Sequence, residues 1–171
     1  MQQTLFLVQF FLAFNPSFYS LSTSKMGGGD ISFAPFAGKK VLIVNTAINT
    51  ADTVQYRKLE QLHQLYKDSL VIIAIPSNDF GNAPMSNAAI KTFVFNNYNY
   101  HYLLAAKTNV KAPSKSDLYK WLTRVTKNGM MNSEVKKDFY KYLISKDGTL
   151  IGVFDNTEDP MGARIRGAVE E

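Results

Sequence analysis

From Gly38 onward the chain alternates dense apolar runs with segments whose apolar residues recur at helical spacing. Residues 38–47 read GKKVLIVNTA, a continuous apolar run bounded by Gly38 and a polar turn. A run of that kind predicts a strand covered on both faces, as in a parallel sheet. Across the turn, Asp52 followed by Gln55 fits a capping box, and Tyr56, Leu59, Leu62, Leu65 and Tyr66 then recur at helical spacing as far as Lys67. A second apolar run, LVIIAIPSND, is ended by Pro76 and a polar loop. Strand, helix and strand in that order predict a right-handed βαβ unit.

The second half is less regular. Residues 78–89, NDFGNAPMSNAA, have the composition of a loop, and the aromatic stretch that follows supports only a short helix and a short strand. Ser116 or Asp117 opens DLYKWLTRVTK, where Leu118, Trp121, Leu122 and Val125 share one side, an amphipathic helix. FYKYLIS and TLIGVF flank a Lys146-Asp147-Gly148 turn, a hairpin signal, and DPMGARIRGAVEE reads as a closing helix. The sequence has no internal repeat, and GGG at 27–29 reads as a turn.

Length and composition then bound the chemistry. At 171 residues, 46% of them hydrophobic, the chain can bury a core of its own, and one domain over 17–171 is expected. It contains no cysteine, which excludes disulfides, thiolate metal sites and cysteine-based redox chemistry. With only His63 and His101, a histidine-rich metal site is not expected; His63 reads as a helix residue rather than a ligand. No G-x-G-x-x-G follows a strand and no P-loop occurs, so neither a nucleotide nor a bound redox cofactor is expected. The net charge of +5 would suit an anionic partner, but the lysines are spread as singles and pairs. The pairs at 39–40 and 136–137 read as solvated surface, and no nucleic-acid-binding motif accompanies them, so no nucleic-acid partner is expected. Phe93, Phe95, Tyr98, Tyr100 and Tyr102 read as core and rim packing, and Trp121 as core.

Residues 1–16 stand apart. Their apolar stretch, Leu5 to Phe14, is too short to span a bilayer and resembles the h-region of a signal peptide, but no basic residue precedes it and no clean cleavage site follows. Export and a cytoplasmic location are both left open. No later run is long and apolar enough for a transmembrane span.

Several of these segments, taken in order, resemble the glutathione peroxidase family. That family carries G-K-x-V-L-I-V-N-V-A-S-x-C-G-x-T running into a helix, and this chain reads GKKVLIVNTAINTADT. The family's F-P-C-N-Q-F-G is similar to IPSNDFG at 75–81, and its Trp-Asn block before an aromatic strand and K-D-G is similar to KKDFYKYLISKDG at 136–148. The opening segment FYSLSTSKMGGGDISFAPFAGK resembles the family's first hairpin, and LYKWLT at 118–123 its late helix. The resemblance runs from about residue 17 to the end in one register, and it implies a thioredoxin-like α/β/α sandwich around a mixed sheet.

It also implies where the family's reagents would fall, and each position departs from the pattern. Thr50 stands for the peroxidatic cysteine or selenocysteine, Asp79 for a glutamine, Lys137 for a tryptophan and Asp138 for an asparagine. Peroxide reduction needs an atom that attacks the O–O bond and then carries the oxidised state, as a thiolate does by becoming a sulfenic acid. A threonine hydroxyl stays protonated at neutral pH and has no such oxidised state. The expected reading is a non-catalytic member that binds a protein or small molecule in the former cleft. Asp79, Asp138 and Lys137 would meet there as a charge-paired surface. The alternative is an enzyme with non-thiol chemistry, in which Asp79 and Asp138, with Asp52 and Thr50, act as acid/base groups or oxygen ligands for a hard cation.

Overall fold

The computed structural model describes residues 17–171, so the apolar stretch at 5–14 lies outside the described residues. An antiparallel hairpin comes first, β1 (Ser22–Ser24) and β2 (Asp30–Ser32). Gly27, Gly28 and Gly29 turn it at φ of 91°, 105° and 76°, a region that side chains disfavour. β3 (Lys40–Thr46) and β4 (Leu70–Pro76) then pair in parallel along their whole length, with α1 (Gln55–Tyr66) crossing between them. All seven β3 residues are buried, which accounts for an apolar run without alternation.

After β4 come α2 (Asn87–Tyr98), β5 (Leu103–Leu104), α3 (Asp117–Thr123), α4 (Val125–Asn128), β6 (Lys141–Ile144), β7 (Leu150–Phe154) and α5 (Ala163–Glu170). The sheet order is β5-β4-β3-β6-β7, with β6 antiparallel to β3 and β7 antiparallel to β6. Leu42 and Val44 of β3 pack towards α1, α2 and α5, through Leu59, Ile90 and Ile165 among others. Val41 and Ile43 point the other way, towards α3 and the aromatics Phe18 and Phe33. The result is an α/β/α sandwich around a mixed sheet, as expected from the sequence. Among the described residues no helix is long and apolar enough to cross a membrane.

Four details differ from the sequence reading. The capping box does not form: a 3₁₀ turn (Ala51–Val54) precedes α1, Thr50 is its cap, and the Gln55 amide instead donates to Asn156 O at 2.8 Å. α2 has three full turns although only Ile90 and Val94 of it are buried; Ser86 caps one end and Asn99, at φ 45°, closes the other. The helix read through Lys127 breaks at Arg124, which is extended (φ −122°, ψ 119°) between α3 and α4. Lys40 is not solvated surface. It is 7% exposed, and its ammonium donates to Ala168 O and Val169 O at 2.8 and 3.0 Å. A cation there satisfies orphan carbonyls at the negative end of α5. Of the aromatic cluster, Tyr102 is core, whereas Phe95 is 55% exposed.

Candidate functional site

The C-terminal ends of β3 and β4 open into a cleft, where loops of a parallel sheet gather. Its volume is about 410 Å³, and Thr50, Asp52, Phe80, Asn82, Lys136, Lys137 and Asp138 line it. Three segments supply these residues: the turn after β3, the loop after β4, and the approach to β6.

The β3 turn is held from two sides. Ile48 N and Asn49 N both donate to Asn82 O at 3.0 Å, so the second loop fixes the first. Thr50 is half-buried, and its Oγ1 accepts the Asp52 N–H at 3.3 Å as the cap of the 3₁₀ turn. Asp52 in turn accepts from Asn156 Nδ2 at 3.3 Å.

Asp138 is 3% exposed. Its Oδ2 accepts from Asn82 Nδ2 at 2.7 Å, while Oδ1 is buried without a hydrogen-bond partner. Burial raises its pKa, the Asn82 bond opposes that, and the charge of Asp52 adds to it. Lys141, at the start of β6, is fully buried with its ammonium on Asp155 O at 3.1 Å. Burial brings it down to about 8, against the pull of Asp155 and Asp52.

Asp79 does not join the cleft lining. Its Oδ2 accepts two successive backbone amides, Val110 N at 2.6 Å and Lys111 N at 2.7 Å, and so ties the loop after β4 to the segment after β5. Lys111 then lies over the Phe80 ring, 4.5 Å from its centroid. Lys137 does line the cleft but is exposed, and among the described residues it has no carboxylate within 4 Å. The expected charge-paired surface of Asp79, Asp138 and Lys137 is therefore not what forms, because two free backbone amides take Asp79 and burial takes Asp138. Asn82, Phe80 and Lys136 are cleft residues that the sequence reading missed. Asn82 lies just beyond the IPSNDFG match, and nothing in its spacing marks it.

The comparisons with known proteins bear on the family and the fold. The family model described as glutathione peroxidase matches residues 18–123. A glutathione peroxidase-like peroxiredoxin of Chlamydomonas reinhardtii is 36% identical over 148 residues, covering 85% of this chain and 91% of the relative. The chain belongs to the glutathione peroxidase family. Another member, the glutathione peroxidase of Lactococcus lactis, is 34% identical over 146 residues, with 84% and 92% covered. Among solved structures, Trgpx in its apo form is similar at a TM-score of 0.68 and 28% identity, over 91% of this chain and 97% of that one. A thiol:disulfide interchange protein from Chlorobium tepidum shares the thioredoxin-like fold at a TM-score of 0.64 and 15% identity, over 88% and 91%.

What this glutathione peroxidase family member offers at its cleft is a hydroxyl that caps a helical turn, two carboxylates and two exposed lysines. Among the described residues no three His, Asp or Glu side chains converge as a metal site. The buried carboxylate gives a direct prediction. Asp138 holds its proton more tightly folded than unfolded, so its contribution favours folding below the ordinary value of 3.8 and is lost as pH rises through the raised folded value. Asp138→Asn keeps the shape and the Asn82 bond without the charge. It should be more stable than the parent at pH 7 by about 1 kcal/mol, or roughly 2–4 °C. Thermal unfolding at pH 7 and near pH 4 should show that gap closing as the pH falls.

Proposed function

We propose that this chain is a non-peroxidatic member of its family, which keeps the fold and uses the cleft to bind a protein or small molecule. The observation that carries the reading is Thr50. It stands where the family motif has its cysteine or selenocysteine, the sequence contains no cysteine that could act in its place, and its hydroxyl serves as a helix-turn cap. Two-electron reduction of a peroxide by a side chain, as in the family's cysteine or selenocysteine route, requires one that takes up oxygen and is then reduced again, and an alcohol has no such state. The alternative of paired Asp79 and Asp138 carboxylates loses support, because Asp79 is committed to the amides of Val110 and Lys111. The test is turnover of hydrogen peroxide and of an organic hydroperoxide, with glutathione and with thioredoxin as reductants. The expected result is consumption no faster than without protein; sustained turnover with either reductant would overturn the reading.

A further inference from the structure

Cations that are scattered in sequence converge beside the cleft. Lys115 precedes α3, Arg124 sits in the break between α3 and α4, and Lys136 lies before β6. Together with Thr123 and Ser133 they line a recess of about 380 Å³, and Lys136 borders both this recess and the cleft. Lys115 and Arg124 also face a second opening of about 240 Å³, to which Lys111 is added. Glu134 is the one acidic residue lining either space. Among the described residues none of these four cations has a carboxylate within 4 Å. Burial, followed by the charge of Arg124, holds the Lys115 ammonium below its usual value, with Glu134 opposing.

The recess is also stiff. Asn128, 8% exposed, donates through Nδ2 to Trp121 O and Met131 O at 3.0 Å and accepts from Met130 N and Met131 N at 2.7 and 3.0 Å. Asn132 Oδ1 accepts from Val125 N at 3.0 Å, Ser133 N donates to Thr123 O at 3.1 Å, and Lys115 Nζ donates to Thr123 Oγ1 at 3.1 Å. Walls fixed in this way need not be ordered when a ligand enters.

Like charges gathered with one carboxylate among them repel, and a compact dianion placed between them removes that repulsion. A guanidinium fork and two ammonium groups are donors that a phosphate accepts from, whereas the Thr123 and Ser133 hydroxyls already donate to Tyr119 O and Leu122 O. We infer that the recess formed by Lys115, Arg124 and Lys136 is a recognition site for a phosphate group, carried by a small soluble phosphate compound or by a lipid headgroup. It is separate from the cleft reading and does not depend on it.

The test is an NMR titration of the ¹⁵N-labelled protein with inorganic phosphate, at ionic strength held constant with chloride. Saturable shifts are expected at the amides of Thr123, Arg124 and Ser133. Arg124→Ala and Lys115→Ala should each weaken binding by at least about tenfold. Arg124 is exposed and its side chain makes no cap bond, so its loss should leave the fold intact, which a melting curve checks. Lys91→Ala, on the exposed face of α2, should change nothing. Shifts that do not saturate, or that Lys91→Ala reduces as much as Arg124→Ala does, would overturn the site. Sedimentation with phosphatidylcholine vesicles containing phosphatidic acid separates the sources. Capture that needs Arg124 and is competed by phosphate assigns the headgroup; saturable phosphate binding without capture assigns a soluble compound.

Discussion

Thr50→Cys is expected to gain slow peroxide reduction, and Thr50→Cys combined with Asp138→Asn to exceed it by at least about tenfold. The Asp52 N–H already points at the side chain of residue 50, at 3.3 Å from Thr50 Oγ1. A thiolate there would accept the same bond at the start of a helical turn, which favours the charged form. The opposing influence is the rest of the cleft. Asp52 and Asp138 line it beside residue 50, and Asp138 is buried, so its charge is poorly screened. Lys136 and Lys137 are exposed, and solvent weakens their compensation. Each unit by which the carboxylates raise the thiol pKa above the working pH removes about nine tenths of the thiolate. The pH dependence of alkylation gives the thiol pKa, and stopped-flow oxidation by hydrogen peroxide gives the rate. Equal pKa values and equal rates in the single and double variants would sink the claim that Asp138 opposes thiolate chemistry here.

β3 and β4 were legible because unbroken apolar runs ended by polar turns have few other uses in a chain of this size, and the Asp147-Gly148 hairpin because its turn chemistry is specific. Placing Thr50 and Asp138 beside one cleft came from motif order and not from periodicity. What the sequence hid was set by partners far along the chain. Lys40 looks like any surface lysine until α5 arrives some 128 positions later to receive it. Asp79 looks like a free loop carboxylate until the amides of Val110 and Lys111 are placed beside it. Lys115, Arg124 and Lys136 read as scattered charge because the break at Arg124 interrupts a helix that periodicity runs straight through to Lys127, and a further turn follows at Asn128.

Asn45→Leu is expected to be among the most damaging single changes, costing about 2–4 kcal/mol and lowering the melting temperature by roughly 5–15 °C. Asn45 is fully buried at the end of β3 and holds the segment carrying Lys137 and Asp138 at both ends. Its Nδ2 donates to Lys137 O and its Oδ1 accepts from Tyr140 N, both at 3.0 Å. Its backbone adds two more bonds, from Phe139 N to Asn45 O at 2.6 Å and from Asn45 N to Tyr140 O at 3.2 Å. Between those anchors Phe139 adopts φ 63°, unfavourable for an aromatic residue, with its ring buried edge-on against Tyr56 at 5.3 Å. Leucine would leave a partly buried carbonyl and a partly buried amide unpaired and remove side-chain bonds that flank Phe139. Hydrogen exchange at Phe139 and Tyr140 should then quicken more than at Leu42 in the middle of β3, and uniform quickening would show global destabilisation instead. Because Asn45 grips main-chain atoms, the cleft wall keeps its course whatever side chains stand at 137 and 138. A scaffold anchored in that way presents a shaped cleft that does not depend on the side chains lining it.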